Sequence, residues 1–155
     1  MATADAGSET ATFVMVLPEK PLSQQANGRR KYQQRIGATA AARFVGRSSF
    51  TGEVYVRITY CQEGPPKQDI DNIIKPIVDA LKGVVMSDDI MVRQCSAERI
   101  FLDRDFTIAD RSRSVETYNA LAALLAQGAP DILYIEVGVA PDQRIAFGPM
   151  REMTG

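Results

Sequence analysis

Two hydrophobic periods divide the chain. Residues 12–17, Thr-Phe-Val-Met-Val-Leu, form a short β-branched run stopped by Pro18, which predicts a buried strand. Val54, Val56, Ile58 and Tyr60 alternate with Glu53, Tyr55, Arg57 and Thr59, the period of a half-buried strand. Residues 132–139 predict a last strand, and 91–101 another whose alternation is poor. Between them the period becomes helical. Tyr32, Ile36, Ala40 and Phe44 recur at four-residue spacing over 30–45, with Lys31 and Arg35 on another side. Ile70, Ile73, Ile74, Ile77, Val78 and Leu81 repeat up to Gly83, a C-capping glycine. Pro76 interrupts this helix, so an irregular first turn or a kink is expected before it. Ser114 reads as the N-cap of a third helix, with Tyr118, Leu121, Ala122 and Leu125 on one face and a stop at Gly128 and Pro130.

The order β-α-β-α-β-α-β predicts a single α/β or α+β domain with a mixed sheet over residues 11–140. Residues 1–10 read as a flexible N-terminal tail and 141–155 as a C-terminal tail; 18–28, 61–68 and 102–113 read as loops. The 155 residues suit one domain. A composition 45% hydrophobic and 24% charged is that of an ordinary globular chain and argues against disorder. No apolar run approaches the ~20 residues of a membrane span. The start lacks a basic-then-apolar signal pattern, so a cytoplasmic setting without membrane attachment is expected.

Composition then narrows the chemistry. The chain has no histidine, which removes Ser-His-Asp and Cys-His nucleophiles, a histidine base and histidine-bearing zinc sites. Cys61 and Cys95 are too few and too far apart for a metal knuckle or a redox CxxC; the sequence leaves a disulfide between them open, and reduced, buried thiols are expected. The net charge of −1 hides an asymmetry. From Lys20 to Gly52 there is no acid, while Lys20, Arg29, Arg30, Lys31, Arg35, Arg43 and Arg47 are basic. A polyanion would feel this segment beside an acidic remainder, although a basic stretch alone also suits a solvated helix face.

The informative stretch runs Asp69-Ile-Asp-Asn-Ile-Ile-Lys-Pro-Ile-Val-Asp-Ala-Leu-Lys-Gly-Val-Val-Met-Ser-Asp-Asp89. Taken singly, Asp69 reads as an N-cap, Asp71 as a first-turn acid and Asp88-Asp89 as a solvated turn. Lys75 reads as the four-residue salt-bridge partner of Asp71. Together, three or four carboxylates form an all-oxygen site of the kind that suits Mg²⁺ or Mn²⁺. Such a cation polarises a phosphoryl oxygen and activates water without a histidine base, and Lys75 could neutralise the phosphate. The joint signature is metal-dependent phosphodiester hydrolysis. Whether the Gly83 turn brings Asp88 and Asp89 back towards Asp69 is left open by the pattern.

This stretch resembles the core motif of the RusA family of Holliday-junction resolvases, closely over 69–101 and loosely over the first strand and basic region. The resemblance implies that Asp69, Asp71 and Asp89 are catalytic, metal-binding residues and that Lys75 is the motif lysine; Asp88 matches the first aspartate of the pair and is expected either as an auxiliary ligand or as a group supporting the ligands. It also implies a homodimer that uses Mg²⁺ or Mn²⁺ to cut four-way DNA junctions. Two departures stand out: residues 102–128 have no clear counterpart in the smallest members, and the stretch 21–31, Pro-Leu-Ser-Gln-Gln-Ala-Asn-Gly-Arg-Arg-Lys, is unlike the aromatic-rich version of the best-known members. Arg29, Arg30, Lys31 and Arg35 are the expected contacts to the DNA backbone. The rival readings are a junction-binding module that does not cut, and an acidic-site enzyme acting on nucleotides or other phosphates.

Overall fold

The structure, a computed structural model, describes residues 12–23 and 25–150, so the predicted N-terminal tail lies outside the described residues. Its strands are β1 (Phe13–Leu17), β2 (Val54–Gln62), β3 (Val92–Phe101) and β4 (Asp131–Val139). Its helices are α1 (Arg29–Arg43), α2 (Ile74–Leu81) and α3 (Val115–Ala126), with a 3-10 turn, Ile70–Ile73, leading directly into α2. The sheet order is β1-β4-β2-β3. β4 runs antiparallel to both β1 and β2, while β3 lies parallel to β2, so the sheet is mixed and the domain is α/β. Parallel strands need a crossover, and α2 provides the one from β2 to β3.

One face of the sheet carries the core. Phe13 and Met15 of β1, Val56 and Ile58 of β2, and Ile135 and Val137 of β4 pack with Tyr32 and Ile36 of α1 and Ile77 and Leu81 of α2. Burying apolar side chains of this size stabilises by roughly 1.5–3 kcal/mol each, which holds both helices on the sheet. α1 and α2 lie side by side. Gln33 Nε2 donates to the Pro76 carbonyl at 3.4 Å, and a Cβ placed on Gly37 would stand 3.2 Å from the Ala80 carbonyl oxygen. Both pairs are 43 positions apart, so the two helices run in the same direction, and glycine permits their close approach.

Two expectations change. No α3 side chain is fully buried, and Tyr118 is 47% exposed. The helix packs beside β1 at the sheet edge, so part of its apolar stripe stays in solvent. Cys95 is exposed and Cys61 only half-buried, because Cys95 sits on the edge strand β3. Cys95 pairs across from Val56, five positions from Cys61, so the two thiols cannot bridge. The same edge position explains why β3 alternates poorly: of its residues only Val92 and Ala97 pack against the core.

Candidate active site

The loop leaving β2 is tied down before it reaches Asp69. Gln68 Nε2 donates to the Pro21 carbonyl at 2.7 Å, and Arg99 Nη2 of β3 donates to the Gln68 carbonyl. Asp69 stands at the N-cap position of the 3-10 turn, yet its side chain accepts no capping hydrogen bond. Asp71 lies in the first turn. Among the described residues no hydrogen bond or ion pair engages either carboxylate, so the capping role open to Asp69 is not taken up. Pro76 falls in the first turn of α2, where a missing backbone donor costs least, and the 3-10 turn is the irregular start its position requires.

Beyond α2 the chain reverses at Gly83, whose φ of 81° is readily reached by glycine. Gly83 N donates to the Met86 carbonyl at 2.6 Å, and Asp88 then caps the next turn by accepting from Ile90 N at 3.3 Å. β3 starts at Val92 opposite Val54, so Asp88 and Asp89 lie at the sheet end where β2 begins, not where it exits towards Asp69. α2 is short, about 12 Å for its eight residues. The long Lys75 side chain spans much of that interval. Its Nζ lies 2.7 Å from Asp79 Oδ1 and 3.1 Å from Asp89 Oδ2.

Lys75 thus pairs with Asp79, four residues ahead, rather than with Asp71 behind. The tighter winding of the 3-10 turn carries Asp71 off the α-helical stripe that Lys75 and Asp79 share. Lys82 Nζ lies 3.8 Å from Asp88 Oδ1 and 4.0 Å from Asp89 Oδ1, so one cation faces both neighbouring aspartates. A hydrogen bond shared with Asp88, and then one from Lys75, hold the Asp89 carboxyl down to about 2. Hydrogen bonds to Asp79 and Asp89 raise the Lys75 ammonium above its ordinary value. Lys75 is half exposed, so these pairs orient the groups more than they stabilise the fold.

The basic start of α1 flanks the other end of α2. The constant offset between the helices puts Arg29 level with Asn72, next to Asp71. Arg29, Arg30 and Lys31 are exposed, whereas Arg35 Nη2 is held by Glu19 Oε1 at 2.5 Å. Asp79, Lys82, Gln68 and Arg99 escaped the sequence reading. The Lys75-Asp79-Lys82 spacing could have found the first two, but the Arg99 contact joins residues distant in sequence and left no local signal.

The carboxylates are hard oxygen donors, unengaged at Asp69 and Asp71 and ionised at Asp89, which is the donor type a divalent cation takes. Among the described residues, however, no three His, Cys, Asp or Glu side chains form a group that could hold a metal ion. The donors therefore fit in kind without being gathered. Asp71, Lys75 and Asp79 lie along the 3-10 turn and α2, Asp89 faces Lys75 from beyond the Gly83 turn, and the basic start of α1 flanks them. The chain matches the family model described as endodeoxyribonuclease RusA over residues 8–109, and it belongs to that family. Membership makes it an endodeoxyribonuclease, tied to Holliday-junction resolution and recombination. The match covers β1 through β3 and stops before α3 and β4. A search of curated proteins gave no match. Among the described residues no helix is long and apolar enough to cross a membrane.

Proposed function

We propose that the chain is a divalent-metal-dependent, structure-specific endodeoxyribonuclease that hydrolyses phosphodiester bonds in branched DNA, four-way junctions above all. The observation that carries this reading is the family match over the segment whose Lys75 meets Asp89 at 3.1 Å. Asp69, Asp71 and Asp89 would hold Mg²⁺ or Mn²⁺, with Asp88 as an auxiliary ligand. When bound, such an ion supplies Lewis-acid polarisation of the phosphoryl oxygen and a lowered pKa for the attacking water. Lys75 stabilises the charge that builds on the phosphate. Arg29, Arg30 and Lys31 hold the DNA backbone without reading bases. A homodimer suits the near two-fold symmetry of a junction, with one site for each opposing strand.

The test is a panel of end-labelled four-way junction, flap and linear duplex DNAs, incubated with Mg²⁺, Mn²⁺ or EDTA. Paired nicks in the junction with either metal, and none with EDTA, are expected. The ungathered carboxylates favour one other reading, a junction-binding module that does not cut. Tight junction binding with no cleavage under either metal would establish that reading instead.

A further inference from the structure

A polar cleft of about 640 Å³ opens beside the start of β1, away from Asp69 and Asp71. Arg43 and Arg47 reach it from the end of α1, Arg57 from β2, and Arg111 from the segment before α3. Two glutamates share the lining, and both are engaged. Glu116 Oε1 pairs with Arg43 Nη1 at 3.0 Å, and Glu136 accepts from the hydroxyls of Tyr55 and Tyr134. Four arginines against two carboxylates leave the cleft positive. Arg57 and Arg111 are exposed and form no ion pair among the described residues, whereas Arg47 lies over the Phe44 ring at 4.7 Å.

Arg111 is carried on a built turn. Asp110 Oδ1 accepts from Ser112 Oγ and from Arg113 N, both at 2.9 Å, and Ser114 N donates to Ser112 Oγ at 3.1 Å. Arg113 takes a φ of 55°, a left-handed conformation uncommon outside glycine. Ser114 then caps α3 by accepting from Thr117 N at 3.3 Å. Ordering this turn costs conformational entropy, and the turn presents a guanidinium to the cleft. Pockets for apolar small molecules are lined mainly by hydrophobic side chains. Guanidinium and hydroxyl groups suit phosphate oxygens instead.

The cleft also lies within reach of the candidate active site. Phe13 and Val56 both pair with Val137, and Val54 pairs with Val92. The cleft mouth and Asp89 therefore share one end of the sheet, at opposite edges. Four strands put these edges about 14 Å apart, or roughly four steps of a B-DNA strand. Resting on the nuclease reading above, we infer that this cleft binds the phosphodiester backbone of a DNA arm, with Arg57 and Arg111 contacting phosphates. Arg111 lies beyond the family match, so its role is an addition to the matched region.

The experiment measures metal-free binding of a labelled four-way junction between 50 and 200 mM salt, roughly the range over which phosphate binding weakens most visibly. The Arg57→Gln/Arg111→Gln protein should bind more weakly, and its log–log salt slope should fall by about 0.9 for each phosphate it no longer neutralises. Lysine at both positions should restore the slope. An unchanged slope in a variant that melts like wild type overturns the inference while leaving the nuclease reading intact. Wild type that binds no branched DNA overturns both. Should the double variant unfold, Arg111→Gln alone, on its exposed turn, decides in the same way. Thermal stabilisation of wild type by ATP that the variant does not show would assign the cleft to free nucleotide phosphates and refute the DNA assignment.

Discussion

Asp71→Asn separates chemistry from folding. Asparagine keeps the shape of the side chain and removes one negative charge. Asp71 is exposed in the first turn of the 3-10 segment and has no hydrogen bond or ion pair among the described residues. The folded state therefore gives up only a favourable interaction with the helix start, about 0.3–1 kcal/mol. For a domain of this size that lowers Tm by roughly 1–4 °C. If Asp71 acts on metal and phosphate, single-turnover cleavage of a labelled junction in Mg²⁺ should fall by at least ~10²–10³-fold, the usual effect of removing one preorganised electrostatic group. Binding without metal should persist or tighten, because a charge that repels phosphate has gone. Cleavage at the wild-type rate would refute the assignment. A Tm drop beyond ~8 °C, with activity falling only as the folded fraction falls, would show that the carboxylate is structural.

The two neighbouring aspartates should differ. Asp89→Asn is expected to abolish cleavage, while Asp88→Asn, which can still cap the turn, should keep most of it; the opposite ranking in the same assay would reverse their roles. Replacing Arg29, Arg30 and Lys31 together with alanine should lower junction affinity and flatten its salt dependence by up to ~0.9 per phosphate, and an unchanged slope would make this helix start mere solvated surface. The Asp89 carboxyl, held at about 2 against an ordinary 3.8, gives stability that is complete above about pH 4 and lost as pH falls towards 2. The Tm gap between wild type and Asp89→Asn should close over that interval, and a gap that persists at pH 2 would contradict the hydrogen-bonded arrangement.

Much of the fold was legible because burial writes itself into sequence as a period. Tyr32, Ile36, Ala40 and Phe44 are all buried, as their four-residue spacing requires, and so are Val54, Val56, Ile58 and Tyr60. Ser114 and Gly83 announced their helix ends by chemistry that any chain obeys. Sheet order left no such trace, since the entry of β4 between β1 and β2 depends on pairing rather than periodicity. The aspartates and Lys75 were legible as residue types, but the partner of Lys75 was not. That choice depended on a 3-10 turn, whose winding differs from an α-turn by a fraction of a residue per turn. The arginine cleft was invisible for a plainer reason: its walls come from separate segments of the chain.

The placement of β4 has a consequence for how the protein comes into being. Among the described residues β1 has β4 as its sole neighbour in the sheet, and β2 has β4 on one side. The sheet cannot close until β4, far from β1 in sequence, is present, so this pairing is non-local and should be slow to form. A fragment ending at residue 109, where the family match ends, would retain every residue of the acidic motif and lack the strand that joins the sheet's two sides. During synthesis the carboxylates and lysines emerge well before the scaffold that aligns them. The site should therefore be aligned only once β4 has joined β1 to β2.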